Sequence, residues 1–221
     1  MAEWGAFFNH PDGARQFDSE SPCMCRRAKG VVNAGNAEQF TPPGIIGFYY
    51  RAKVTYTGSS PQIAFRPTNC NVAITSMERS GNSYTYTFRV FLYSAGWQIE
   101  WWIFDLPPSD SSAGGWGIMF WDAAGRVTFN SDYPPMKMVR AIDTAKKHAV
   151  VSATGPSYRE RVEQDVDTFG NPITTWFTSH GGYERTGETI TIRRIDTFDH
   201  YYSTSDITYD PSFITVDVTN L

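Results

Sequence analysis

Two stretches of this chain align with one another without a gap. Residues 4–24 read WGAFFNHPDGARQFDSESPCM and residues 116–136 read WGIMFWDAAGRVTFNSDYPPM, a constant offset of 112. Trp4/Trp116, Gly5/Gly117, Phe8/Phe120, Gly13/Gly125, Phe17/Phe129, Ser19/Ser131, Pro22/Pro134 and Met24/Met136 coincide, eight identities in 21 positions. Self-similarity at a fixed spacing is the signature of a repeated structural unit. Each copy has the form of a β-hairpin. A first strand (Gly5–Asn9, Gly117–Asp122) runs into a turn, HPDG or DAAG, whose closing glycine supplies the positive φ such a turn needs. The second strand carries Phe17 or Phe129 and stops at an Asp/Asn-Ser pair and a proline. Period-two alternation places Trp4, Phe8 and Phe17 on one face of the hairpin.

Composition points the same way. Seven Trp, twelve Tyr and fifteen Phe make 15% of the chain aromatic, while only 19% is charged. Aromatic and β-branched residues favour pleated, half-buried surfaces, so the expectation is an all-β, antiparallel β-sandwich architecture with an internally duplicated hairpin. Strand patterns fall over Gly47–Tyr56, Gln62–Arg66, Asn71–Glu78, Tyr84–Tyr93 and Gln98–Asp105, separated by TGSSP, PTN, RSGNS and SAG as turn signals. Tyr84, Tyr86, Phe88, Val90 and Leu92 alternate onto one face. Later strand patterns are YRERVEQDV, ITTWFTS, Thr189–Ile195 and Phe213–Val218, with a turn over Asp165–Pro172. A short helix is expected over Asp143–His148, and no long helical period occurs, which excludes a parallel βαβ design. LPPSDSSAGG (106–115) is either a linker or a hairpin loop. The division is therefore 1–110 and 111–221, or one domain over 1–140 with a β extension over 141–221.

Charge and motif content narrow the function classes. Net charge is −4 and no basic run exceeds two residues, which disfavours nucleic-acid binding. No apolar stretch approaches the roughly 20 residues of a membrane-spanning helix. The N-terminus lacks the basic-then-apolar order of a secretory signal, and Cys23, Cys25 and Cys70 are odd in number, so free thiols formed in a cytoplasm are expected. Cys23-Met24-Cys25 has too few ligands for zinc, and His10, His148, His180 and His200 show no ligand spacing. Asp165-x-Asp167 before Gly170-Asn171 resembles a calcium loop but lacks its later acidic ligand, so a polar hairpin turn is the better reading. No nucleophile elbow, P-loop or dinucleotide fingerprint is present, and neither a catalytic residue, a cofactor nor a metal is expected.

The remaining candidates are aromatic. Trp97, Trp101, Trp102, Trp116, Trp121 and Trp176 can line a protein interface or stack on sugars, and Glu100 and Asp105 lie on the same strand as several of them. Alternation puts Trp102 and Phe104 on one face and Trp101 and Ile103 on the other. A strand apolar on both faces is either central between two layers or covered by a partner chain. Core or interface is therefore favoured over ligand binding.

The two WGxxFxxxxGxxxFxSxxPxM segments, with PQIAFRP (61–67) and IEWWIFD (99–105) between them, resemble a family of small proteins encoded among the tail genes of tailed bacteriophages. The second copy is the closer match, and the first departs at His10-Pro11-Asp12 and Cys23. The likeness covers residues 1–140 loosely and leaves 141–221 without a counterpart. It implies a virion protein at the tail tip, baseplate or fibre attachment. Such a protein is assembled in a host cytoplasm as a symmetric homo-oligomer that packs against other tail proteins. It is not expected to be an enzyme. The competing expectation is a module that recognises host surface glycan.

Overall fold

The computed structural model describes residues 7–9, 15–18, 22–40, 49–108, 117–139, 143–152, 157–166, 172–200 and 214–221. The fold class is all-β and antiparallel, with no helix among the described residues. In chain order the strands are β1 (Phe7–Asn9), β2 (Arg15–Asp18), β3 (Cys25–Asn33), β4 (Glu38–Phe40), β5 (Tyr49–Thr57), β6 (Gln62–Ser80) and β7 (Ser83–Asp105). Then follow β8 (Met119–Trp121), β9 (Val127–Asn130), β10 (Lys137–Met138), β11 (His148–Val151), β12 (Ser157–Val166), β13 (Pro172–Thr186), β14 (Thr189–His200) and β15 (Ile214–Asp217).

A long two-stranded ribbon, β6 with β7, organises everything else. It is continuous where the sequence suggested breaks: neither PTN nor SAG ends a strand. Instead the ladder shifts register around Thr68, Cys70 and Val72, and Cys70 faces Tyr93 while Thr68 faces Gln98. Bulges of this kind bend a ribbon without ending it. Asn69 (φ 55°) and Gly96 (φ 73°) sit at the bend in left-handed backbone, the conformation that asparagine and glycine tolerate best. The cross-strand bonds continue on both sides, so local turn chemistry produces a corner and not a loop.

Bending brings the two ends of the ribbon face to face. Phe65, from one side of the bend, meets Phe88, from the other, edge-on at 5.4 Å, and Tyr183 of β13 at 5.5 Å. Tyr86 Oη donates to the Pro61 carbonyl at 2.6 Å and Tyr84 Oη to that of Ser59 at 3.1 Å, tying the far half back over the near half. The buried face of β7 holds Tyr84, Tyr86, Phe88 and Val90, as the alternation predicted. With Ile63, Phe65, Val72, Ile74, Ile99, Ile103 and Val150 they form the main core. Burying a Phe, Ile or Val side chain contributes about 1.5–3 kcal/mol each, so this cluster supplies most of the driving force for the bend.

The near half of the ribbon belongs to a second closed structure. Strand pairing runs β3–β7–β6–β11–β15–β10. The residues leading into β10 then pair with the start of β3: Arg26 N donates to Pro134 O at 2.8 Å and Met136 N to Met24 O at 2.8 Å, around a Cys25/Pro135 bridge. The pairing path therefore returns to its start. Ala64, Trp102, Phe104, Ala149, Val151, Val216 and Val218, with Met24 and Met136 against them, form a core of their own, separate from the main one. A ring of six strands leaves an interior of the size that side chains fill. The strand carrying Trp102 and Phe104 inward and Ile99 and Ile103 outward is apolar on both faces because it lies between these two cores.

Both sequence-matched segments form hairpins. Phe7, Phe8 and Asn9 pair with Asp18, Phe17 and Arg15, and Met119, Phe120 and Trp121 pair with Asn130, Phe129 and Val127. Each ladder carries one register shift, at Phe8/Asn9 and at Phe120/Trp121. The short helix expected over Asp143–His148 is not formed. Asp143 opens a turn, accepting from Ala145 N at 3.0 Å, and His148 begins β11. Asx-turn bonding of this sort competes with helix initiation over so few residues. Of the expected linker, Leu106–Pro108 are described and 109–115 are not. Strands β11 and β15 from the second half of the chain pair with each other and, through β6, with the first half.

Candidate functional site

Strand β7 carries the densest group of candidate residues, and the fold uses them for support. Trp97 and Trp102 are buried, Trp97 in the main core and Trp102 in the barrel interior. Trp101 is half-buried and lies across Gly30 of β3, its register partner, so closely that a Cβ on Gly30 would overlap the indole. Gly30→Ala therefore has to push a rigid ring off the strand and should cost about 1–2 kcal/mol by overpacking, read as a lower midpoint in denaturant. Trp121, at the end of β8, is exposed, at 53%. Trp116 lies outside the described residues, and of Trp176 only the backbone, in β13, is described. The four tryptophans whose side chains are described do not converge on one surface: those on β7 are divided between two cores, and Trp121 faces outward.

Each of the two carboxylates on this strand has a structural partner. Asp105 is buried and accepts backbone N–H groups from Ser59 and Ser60 at 2.9 Å and from Leu106 at 2.8 Å. It holds the 58–60 turn against the strand end, where Gly58 leaves no room for a side chain. Glu100 accepts from Arg66 Nη1 at 3.1 Å. Arg66 also donates through Nη2 to Glu188 at 2.7 Å, and Glu188 stands 3.6 Å from Arg185. Arg185 donates in turn to Pro67 O at 2.9 Å and Thr68 Oγ1 at 3.0 Å. Burial, with the Arg66 charge nearby, lowers the Arg185 pKa from its ordinary value. These four charges clamp the β13–β14 turn onto the ribbon. Sequence reasoning missed the clamp, although an arginine closing the apolar run QIAFR is a signal of it: such a side chain is rarely buried without a partner.

Two open depressions flank the bend. One, about 330 Å³, lies between Asn33–Gly35 and Gly96–Gln98. The other, about 320 Å³, is lined by Asn69, Cys70, Asn71, Tyr93, Glu184 and Arg185 among others. Asn71 is fully buried there, its side chain occupying the space a Cβ on Gly182 would need, and neither of its amide atoms meets a hydrogen-bond partner among the described residues.

The thiols are free, and burial disfavours the thiolate at Cys25 and Cys70. Burial pushes Cys25 and Cys70 up to about 12, and raises Cys23 as well. Thiolate is the nucleophile, so at neutral pH Cys25 and Cys70 should resist a disulfide reagent in the folded protein and react once guanidinium unfolds it. Prompt native labelling of Cys25 or Cys70 would contradict this. His148 is fully buried in β11. Among the described residues no group of three His, Cys, Asp or Glu is placed to hold a metal, and Asp167, Gly170 and Asn171 of the calcium-like segment lie outside them. No helix among them is long and apolar enough to cross a membrane. No protein-family model, curated protein or solved structure matches the chain.

Proposed function

We propose that this chain is a structural component of a bacteriophage tail, working by protein–protein packing at the tail tip, baseplate or fibre attachment. The observation that carries the reading is where the chemistry-bearing side chains are engaged. Glu100, Asp105, Arg66 and Arg185 are all spent on holding strands together. Large apolar side chains at Met77, Ile118, Trp121 and Met138 meanwhile face outward, at 48–68% exposure. That division suits a protein whose surface is completed by neighbours. The likeness of the two hairpin segments and of PQIAFRP and IEWWIFD to phage tail proteins supplies the setting: a virion protein, assembled in the host cytoplasm as a symmetric oligomer. Peptide mass spectrometry of purified virions, with cryo-EM of the tail, tests it; particles that lack the protein would sink the proposal.

A second reading, a glycan-recognising tail module, is favoured by the exposed Trp121 indole, since an exposed aromatic face can stack on a sugar ring. Glycan-array binding that is lost in Trp121→Ala, with folding retained, would support it. An array without signal would remove it.

A further inference from the structure

The sequence match ends near Met136, but the pairing registers carry it further. In β3 and β7, Cys25 faces Asp105 and Arg26 faces Phe104. In β10 and β15, Lys137 faces Asp217 and Met138 faces Val216. All four residues of the second set stand 112 positions after those of the first, the offset of the hairpin match. The hairpins agree at the same offset, down to the position of the register shift. The third strand of each set agrees too. Gln62, Ile63 and Ala64 of β6 face Phe104, Ile103 and Trp102, while Ala149, Val150 and Val151 of β11 face Val216, Thr215 and Ile214. Here the β7-to-β15 offset is still 112, and the β6-to-β11 offset is 87. The shortening falls between the first and second barrel strands, where the first half of the chain holds β4 and β5 and the second half has nine residues, 139–147, between β10 and β11.

Counterparts also pair with each other. Met136 N bonds Met24 O, and these are matching residues at offset 112. Val151 faces Ala64, and these are matching residues at offset 87. In an antiparallel pair, a residue that faces its own counterpart lies on a two-fold axis. Two such points occur at different seams of the barrel, between β6 and β11 and between the approaches to β3 and β10. All four residues contribute to the barrel core or pack on it.

We infer that the chain is a fused pair: two copies of one β-unit meet around a local two-fold axis through Met24/Met136 and Ala64/Val151, each supplying half of the barrel. The interface between the halves is then isologous, the kind by which two identical subunits associate, and each half fits the other as its partner. What has no counterpart is what distinguishes the copies: β4, β5 and the far half of the ribbon in the first, and β12–β14 in the second. The inference rests on register alone and is independent of the tail assignment.

Disulfide trapping in the full chain tests the axis. With Cys23, Cys25 and Cys70 changed to alanine, the pair Met24→Cys and Met136→Cys, and separately Ala64→Cys and Val151→Cys, should close an intramolecular disulfide under mild oxidation. Shifting one partner by a residue, to Met24→Cys with Lys137→Cys or Ala64→Cys with Ser152→Cys, turns that side chain to the opposite face and should abolish closure. Shifted pairs that close as fully as the on-axis pairs, or an on-axis pair that never closes, overturn the axis. A readout free of substitutions is the Hα–Hα nuclear Overhauser contact of Cys25 with Pro135 in the unaltered protein, which must be present. A protease site placed in residues 109–115 of the full chain tests the interface. After cleavage the halves should co-elute in native buffer and separate only in denaturant; halves that part in native buffer overturn it.

Discussion

Phe65→Ala is expected to cost about 4 kcal/mol and to lower Tm by about 10 °C. Phe65 has no exposed surface and stands where three parts of the chain meet. Its ring packs on Phe88 across the bend and on Tyr183 of β13, while its backbone pairs with Trp101 on one side and Val150 on the other. The cavity left by alanine would be walled by backbone already committed to both neighbours, so little collapse can refill it. Two edge-on ring contacts, each worth about 0.5–1.5 kcal/mol beyond area, go with it. Phe65→Leu keeps most of the volume and should cost under about 2 kcal/mol. Chemical denaturation of the three proteins decides the matter. A loss for leucine as large as that for alanine would show that the ring contacts, and not the filled volume, carry the effect.

Arg66→Ala is expected to cost about 3 kcal/mol. The guanidinium is 8% exposed and stands between Glu100 and Glu188, whose side chains are 25% and 21% exposed. Removing it leaves two partly buried carboxylates near each other, with Arg185 the remaining cation in the clamp. Breaking a buried pair by deleting one partner costs about 3–5 kcal/mol, and the residual exposure of the two glutamates puts this case at the lower end. The triple change Arg66→Met, Glu100→Gln, Glu188→Gln should recover most of the loss, because the cost lies in the uncompensated charge more than in the missing attraction. Equal instability of the single and triple variants would mean that the hydrogen bonds, and not the charges, hold the β13–β14 turn. Hydrogen exchange of the Tyr183 and Glu184 amides, whose residues face Val72 and Asn71, reports whether the arm is released.

The two substitutions act on adjacent residues of one strand pointing to opposite faces, and that contrast bears on what was legible in advance. Tyr84, Tyr86, Phe88 and Val90 belong to an alternating pattern, and they are buried as period-two reading requires. The hairpin glycine Gly125, with φ 77°, is where turn chemistry requires it. Arg66 follows no such pattern, because its burial depends on Glu188, 122 positions away. The same holds for Asp105, whose proximity to Trp101 and Trp102 suggested a sugar site. Its partners are backbone N–H groups of the 58–60 turn, which no residue-type pattern records.

By itself the sequence determined the strand class, the inward face of β7 over Tyr84–Val90 and the antiparallel strand pairs of the two matching segments. These follow from side-chain period and turn stereochemistry, which are local properties of the backbone. Only the tertiary structure decided that PTN and SAG bend a continuous ribbon instead of ending strands. It also decided that β7 lies between two cores, that β10 and β3 close a barrel, and that four charges hold the β13–β14 turn. Those outcomes depend on which strand lies beside which. Backbone hydrogen bonds between strands are nearly the same for every sequence, so the choice of neighbour is made by the packing of whole faces and is not written in any one segment.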